Sequence, residues 1–107
     1  MARIAMLSAA TTNATSAAIQ QSAAHQFGGD EISFQYTGTW AAATLTLQQS
    51  NDGGTTWTPI TGGAVTANAV INHIIGAGSQ IRAVITDAAS PISHSISLFA
   101  SGHIEAV

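Results

Sequence analysis

The chain has 107 residues, of which only 7% are charged, with a formal net charge of −3 and no cysteine. Its two basic residues, Arg3 and Arg82, cannot form the cluster of positive charge that neutralises phosphates, so nucleic-acid binding is not expected. The lack of cysteine excludes thiolate catalysis and cysteine-ligated metal sites. No apolar stretch approaches the roughly 18 residues of a membrane span, so no membrane partner is expected.

The scarcity of charge also bears on how this protein could bind others. Average soluble proteins have about 25% charged residues, so this surface must be covered largely by small and uncharged polar side chains. Such a surface loses its water at little cost, because few ions have to be desolvated. The composition therefore favours a protein that lies against neighbours in an assembly, with a surface that is simply polar and uncharged as the alternative.

The N-terminal part of the chain shows weak periodicity. Residues 13–26 are rich in alanine, but Ile19 is their only large apolar residue, and a helix with one apolar anchor cannot bury a useful stripe. Residues 1–25 are therefore predicted to form an extended arm or an edge strand. The whole chain, residues 1–107, is long enough for one domain with its own core.

Strand patterns follow in chain order. Ile32, Phe34 and Tyr36 alternate with polar residues, which predicts a strand with one buried face. The predicted strands fall at residues 32–37, 44–49, 69–75 and 80–86, and residues 95–107 supply one or two closing strands, with Gly102 as a bulge or turn between them. Runs of this length between turn signals are typical of antiparallel sandwiches. We predict an all-β fold, an antiparallel β-sandwich or jelly-roll-like domain, with about eight short strands and no significant helix.

The stretch SNDGGTTW contains the strongest turn signal of the chain. Asp-Gly and Gly-Gly between two strand patterns predict a β-hairpin. Asp52 and Ser50 are expected to bond with the backbone of their own turn. Gly53 and Gly54 allow the positive φ that such a turn needs. Trp57 is expected to begin the return strand, with its ring covering the hairpin against the core.

The same stretch resembles the Asp-box of sialidases and of many other β-proteins, in the pattern Ser-x-Asp-x-Gly-x-Thr-Trp. In sialidase-like propellers the box recurs on several blades and lies away from the active site, and a propeller needs at least four blades. This chain has one such box and two arginines, too few for the arginine cluster that binds the substrate carboxylate. The resemblance therefore implies a structural hairpin and not a sialidase.

Candidate catalytic and metal-binding residues are few. The four histidines are His25, His73, His94 and His103. Their spacing matches no short metal motif, although a cluster formed by different strands or at a symmetry axis is an alternative. Asp30 and Glu31 would point to opposite faces of a strand, so they do not form the facing carboxylates of a glycosidase. We expect no enzymatic activity, no catalytic residue, no metal and no cofactor.

Tyr36 and Trp40 are the residues that could form a platform for stacking on carbohydrate. Aromatic residues make up only 6% of the chain, and large aromatic side chains dominate the cores of small domains. These two rings are therefore expected to serve the core, with glycan stacking as the alternative.

Two longer segments resemble small β-sandwich proteins encoded in the structural-gene regions of tailed bacteriophages. In that family a strand ending in Leu-Gln-x-Ser runs into Asp-Gly-Gly-x-x-Trp, and a Gly-x-x-[IV]-Arg-Ala-Val strand follows. The matching residues are Leu47, Gln48, Ser50, Asp52, Gly53, Gly54 and Trp57 in the first segment and Gly78, Ile81, Arg82, Ala83 and Val84 in the second. The resemblance covers roughly residues 30 to 107.

This resemblance implies a capsid decoration or cement protein on the outer surface of an icosahedral head. It implies binding to the major capsid protein, stabilisation of the contacts between capsomers, and a homotrimer. The location implied is the virion, on a head assembled in the host cytoplasm. The alternative is a receptor-binding or glycan-binding module of a tail fibre or baseplate, acting through Tyr36 or Trp40.

The N-terminal segment ARIAML is the candidate interface with the capsid or with another subunit. It comprises Ala2, Arg3, Ile4, Ala5, Met6 and Leu7. This segment is apolar enough to add a strand to the sheet of a neighbour. A strand within the domain's own sandwich is the equal alternative.

Overall fold

The computed structural model describes residues 2–22, 30–76, 78–88 and 91–107. The strands are β1 (Ala2–Ala10), β2 (Ile19–Gln21), β3 (Asp30–Thr39), β4 (Ala43–Ser50), β5 (Thr58–Val65), β6 (Ala69–Ile75), β7 (Gln80–Asp87), β8 (Ser95–Gly102) and β9 (Ile104–Ala106). The described residues contain no helix, and hence none that could cross a membrane. The all-β prediction is confirmed, with nine strands among the described residues.

The strands form two antiparallel sheets around one core. One sheet has four strands in the order β1-β8-β3-β6, and the other has five in the order β5-β4-β7-β2-β9. The antiparallel pairs are nested, β1 with β8, β2 with β7, β3 with β6 and β4 with β5. This nesting is that of a jelly roll, in which a folded ribbon of paired strands winds into two sheets. The predicted sandwich is therefore of the jelly-roll form, and β9 extends its five-stranded sheet.

Alternation along the central strands places the core. In β4, β7 and β8 nearly every second side chain is buried, and most of those between are half-buried. The fully buried side chains with little or no exposed area include Ile32, Phe34, Tyr36, Leu45, Leu47, Ile81, Ala83, Ile85, Ile96, Leu98 and Ala100. Each buried Ile, Leu or Phe side chain among them stabilises the fold by about 1.5–3 kcal/mol. The predicted burial of the face shared by Ile32, Phe34 and Tyr36 is confirmed.

The N-terminal segment is part of the sandwich and links its two sheets. β1 is an edge strand that pairs with β8. The chain then crosses to the five-stranded sheet, where the Ser16 N–H donates to the Ala83 carbonyl at 2.8 Å and the Ala83 N–H donates to Ser16 Oγ at 2.9 Å. β2 follows, between β7 and β9. For residues 1–25 the sequence predicted an extended arm or an edge strand. β1 is an edge strand, whereas β2 is an interior strand. Residues 23–25 lie outside the described residues.

Candidate functional site

The turn formed by SNDGGTTW connects β4 to β5, and its hydrogen bonds are local. Ser50 Oγ donates to Asp52 Oδ1 at 2.7 Å and accepts the Gly54 N–H at 2.9 Å. Asp52 Oδ1 also accepts the Thr56 N–H at 2.8 Å. Gly53 and Gly54 have φ angles of 75° and 89°, in the left-handed region that favours glycine. The predicted hairpin is present, and Ser50 and Asp52 bond with groups of their own turn, as expected.

The Asp52 carboxylate is exposed, yet hydrogen bonds hold it in its ionised form. The backbone N–H of Thr56, then the hydroxyls of Ser50 and Thr56, lower the pKa of Asp52 from 3.8 to about 2. Hydrogen bonds donated to a carboxylate stabilise its charged form. Asp52 is therefore negatively charged at neutral pH and is not suited to act as a general acid.

Trp57 is half-buried and packs on Arg82, not on the core. Its indole N–H donates to the Gly54 carbonyl at 3.0 Å. The Arg82 guanidinium lies 4.4 Å from the ring centroid, and its Nε–H donates to Gln48 Oε1 at 2.8 Å. The expectation that the ring covers the hairpin against the core is wrong. The reason is that Arg82 projects from the outer face of β7 and offers a cation for the ring to stack on.

A groove of about 580 Å³ lies beside this turn. It is lined by the end of β4, the turn, the first half of β5 and His73 of β6. Gln49 Nε2 donates to Asn51 Oδ1 at 3.0 Å, and the Ser79 hydroxyl donates to the same oxygen at 2.7 Å. His73 Nε2 lies 3.4 Å from Gln49 Oε1. The amides, the hydroxyl and the imidazole around the groove thus bond largely with one another.

The chemistry available in this groove is hydrogen bonding by amides, hydroxyls and an imidazole beside one carboxylate. Asp52 contributes an ionised carboxylate, and His73 is engaged with an amide oxygen. Among the described residues, no group of three or more His, Asp or Glu side chains is placed to hold a metal ion. His25, the remaining candidate from the sequence, lies outside those residues. The groove can exchange hydrogen bonds with a polar surface through these side chains.

Tyr36 and Trp40 lie in the core. Tyr36 is fully buried and Trp40 is 8% exposed, and their ring centroids are 6.5 Å apart. The Trp40 indole N–H donates to Asn68 Oδ1 at 2.8 Å. Burial raises the pKa of the Tyr36 hydroxyl well above its usual range. The alternative of a glycan-stacking platform is wrong for these rings, because their faces are covered by the protein.

The predicted interface segment in β1 contains both exposed and buried side chains. Ala2, Arg3 and Ala5 are exposed, and Ile4 is half-buried. Met6 and Leu7 are each 8% exposed and belong to the core cluster. A register irregularity between Ala5 and Leu7 accompanies this change, so that two consecutive side chains are buried. Met6 and Leu7 are therefore not available to a partner, and the candidate interface narrows to the exposed residues Ala2, Arg3 and Ala5.

A buried histidine–aspartate pair was not singled out by the sequence patterns. His94 Nδ1 lies 2.7 Å from Asp87 Oδ2, and neither side chain has exposed area. His94 Nε2 lies 3.1 Å from the Thr12 carbonyl oxygen. The imidazole therefore ties the end of β7 to the segment that joins β1 and β2. The two residues lie close together in the sequence, on either side of the segment between β7 and β8, and this short separation is a signal that could have indicated their contact.

Comparison with known proteins adds no relative. A scan against protein-family models, a search of curated proteins and a search of solved structures each find no match. The jelly-roll topology is shared by viral capsid domains, lectins and cupins, so it does not by itself select a function. A proposal for its function therefore has to rest on the residues and surfaces of the chain itself.

Proposed function

We propose that this protein is a non-enzymatic decoration, or cement, protein of a tailed phage, bound to the outer surface of the head and in contact with the major capsid protein. The observation that carries the proposal is that both basic residues are engaged within the molecule. Arg3 lies over the ring of Phe99, with 5.7 Å to its centroid. Arg82 stacks on Trp57 and bonds to Gln48. Apart from the exposed carboxylates of Glu31 and Asp52, the surface left for a partner therefore offers amides, hydroxyls, methyl groups and strand edges.

Such a surface is suited to permanent contact with a protein lattice. Amides and hydroxyls cost less to desolvate than ions do, and they bond well once water is excluded. A cement protein needs a large area of such contacts and no chemistry. The charge-poor surface thus favours assembly over catalysis.

The arrangement of titratable groups also supports a binding role. The His94–Asp87 pair has no exposed area, so a substrate in solution has no access to it. Asp52 is ionised and bonded within its turn. A catalytic acid or base has to reach the reacting atoms within hydrogen-bond distance. The buried pair lacks that access, and Asp52, although exposed, is held in its ionised form by the hydrogen bonds of its turn and is not suited to act as a general acid.

The two segments that resemble phage proteins lie side by side. β4 pairs with β7 along its whole length, and Gln48 stands opposite Arg82. The guanidinium of Arg82 then joins the first segment twice, through Gln48 and through Trp57. The residue types that carry the resemblance therefore make one structural unit, which supports their use as a joint signature.

The proposal is tested by counting copies on phage particles. Heads purified without tails are digested, and this protein is quantified against the major capsid protein by mass spectrometry, with purified tails as the control. We expect a fixed, high ratio on heads and a negligible amount on tails. A few copies per particle, confined to the tail fraction, would contradict decoration and favour the tail module.

The nature of the contact is tested by salt. Raising NaCl from roughly 0.1 M to roughly 1 M shortens the Debye length from about 10 Å to about 3 Å and weakens exposed ion pairs. We expect heads to retain the protein through this change, because its surface has so few ions to contribute. Release at high salt would show that charged contacts dominate and would contradict the argument.

The exposed residues Ala2, Arg3 and Ala5 of β1 are the proposed capsid contact. Truncating residues 1–7 would remove Met6 and Leu7 from the core, so the cleaner variant is Ala2→Glu/Ala5→Glu, which changes exposed methyl groups alone. We expect loss of head binding with an unchanged melting temperature. Ala64→Glu, at an exposed position of β5, is the matched control. Equal head binding by all three proteins would contradict a role for β1.

A further inference from the structure

In the part of the chain that the structure describes, the two open sheets have four edge strands. Three of these carry a feature that hinders pairing with another chain. β1 has two register irregularities against β8. β5 has one against β4 and contains Pro59, which has no N–H to donate. β9 has only three residues. β6 differs from all of them, because it pairs with β3 in an unbroken register from Ala69 to Ile75.

β6 also presents apolar side chains to solvent. Val70 and Ile74 are each 63% exposed, on the face opposite the core. The strand, AVINHII, has seven residues and contains no Lys, Arg, Asp, Glu or Pro. A long, regular and uncharged edge strand with exposed β-branched side chains is a template for the addition of another strand.

We propose that β6 pairs antiparallel with β6 of a second copy of this chain, about a two-fold axis through Asn72. The sequence of the strand is self-complementary in this register. Val70 then lies opposite Ile74 of the second copy, on the outer face, and Ile74 lies opposite Val70. Asn72 lies opposite Asn72 of the second copy, and its amide both donates and accepts hydrogen bonds. The two four-stranded sheets become one continuous sheet.

Other registers fit less well. A shift of two residues places Val70 or Ile74 opposite Asn72 of the second copy and loses both apolar pairs. A shift of one residue brings outward side chains against inward ones. The lack of charge in β6 means that two copies approach without repulsion between opposed side chains. A two-fold axis uses the same patch on both copies, so the contact closes and does not propagate.

The register is tested with two double variants that differ only at position 70. Val70→Lys/Ile74→Lys places lysine opposite lysine across the axis. Val70→Glu/Ile74→Lys places glutamate opposite lysine, and in both variants Lys at 74 has Glu31 of its own chain as its neighbour on β3. Both positions are exposed in the single copy, so both variants are expected to fold.

Mass is measured by analytical ultracentrifugation across a concentration series, with circular dichroism and melting temperature as checks of folding. We expect wild type to be a dimer that dissociates on dilution. The lysine–lysine variant is expected to raise the dimer Kd on the order of tenfold or more, and the glutamate–lysine variant to restore dimerisation in a salt-sensitive form.

A crosslink tests the position of the axis. The chain has no cysteine, so Asn72→Cys introduces a single thiol. Directly opposed residues have Cβ atoms about 4.5–5.5 Å apart, close to disulfide geometry. Gln35→Cys is the matched control, because Gln35 is exposed on the same face and stands next to Val70 on the interior strand β3. We expect Asn72→Cys to form a disulfide-linked dimer much faster than Gln35→Cys.

This inference does not rest on the proposed function, since self-association and head binding are measured separately. It is overturned by a wild type that stays monomeric at every concentration. It is also overturned by a trimer mass together with equal crosslinking of the two cysteine variants. Loss of head binding by Val70→Lys/Ile74→Lys, with a monomeric wild type, would assign β6 to the capsid protein and likewise overturn it.

Discussion

The turn between β4 and β5 and the edge strand β6 differ in where their polar groups find partners. In the turn, Ser50, Asp52, Gly54 and Trp57 bond with groups of the same turn. In β6, one side of the backbone bonds to β3, and the other side forms the open edge of the sheet. The turn is complete within one molecule, whereas the strand retains bonding capacity for another chain. The most recognisable sequence pattern is thus not the region with the greatest capacity to bind.

The largest effect on the free energy of unfolding is expected for substitution of Ser50, because its buried hydroxyl holds the turn together. Ser50→Ala removes one bond to Asp52 and leaves the Gly54 N–H without its acceptor. We expect the free energy of unfolding to fall by about 1–3 kcal/mol, measured by urea denaturation, with self-association unchanged. Ser33→Ala, at a half-buried strand position, is the control. An unchanged urea midpoint for Ser50→Ala would contradict the view that these bonds stabilise the turn.

Much of this turn could be predicted from sequence, because its interactions are local. Asp52 and the two glycines after it are separated by so few residues that their spacing alone fixes a hairpin. The partner of Trp57 could not be predicted in the same way. Arg82 is brought beside it by the pairing of β4 with β7, and that pairing depends on the topology of the whole sheet.

The buried faces of the sandwich could likewise be predicted from sequence, whereas the details of its edge strands could not. Period-two alternation predicted the sandwich and its buried faces, because alternation is a property of each strand alone. Sequence patterns did not decide that Met6 and Leu7 belong to the core, since the irregularity between β1 and β8 depends on both strands. Nor did they reveal that β6 is an edge, because strand order is set by the nesting of distant pairs.

A smaller effect is expected at Trp57, where two interactions can be separated. Trp57→Phe keeps a ring face for Arg82 but loses the N–H bond to the Gly54 carbonyl, so it should cost about 0.5–1.5 kcal/mol. Trp57→Leu also removes the cation–π contact and should cost about 0.5–1 kcal/mol more. Urea denaturation followed by circular dichroism measures both. Equal stability of the two variants would show that stacking on Arg82 contributes nothing.

The Asp52 carboxylate is expected to give a small effect that depends on pH. Its pKa in the folded protein, about 2, lies below the ordinary value of 3.8. The hydrogen-bonded carboxylate therefore stabilises the fold fully above pH 3.8, and this contribution is lost as the pH falls through 2. Asp52→Asn removes the titrating group, so its melting temperature should fall less steeply than that of wild type in this window. If the melting temperatures of the two proteins fell equally between pH 3.8 and pH 2, the stabilising role of the hydrogen-bonded carboxylate would be contradicted.

The smallest effect on stability is expected where the effect on association is largest. Val70→Thr/Ile74→Thr keeps β-branched side chains that favour strands and removes apolar surface from the exposed face of β6. Because each side chain is 63% exposed, the free energy of unfolding of the dilute protein should change by no more than about 0.5 kcal/mol. Sedimentation at high concentration should nevertheless show a weaker dimer, since threonine then opposes threonine across the proposed axis. A loss of more than about 1 kcal/mol in the dilute protein, a size that single exposed substitutions rarely reach, would instead mean that these side chains pack within their own molecule. β6 would then be as self-contained as the turn, and the contrast between the two regions would disappear.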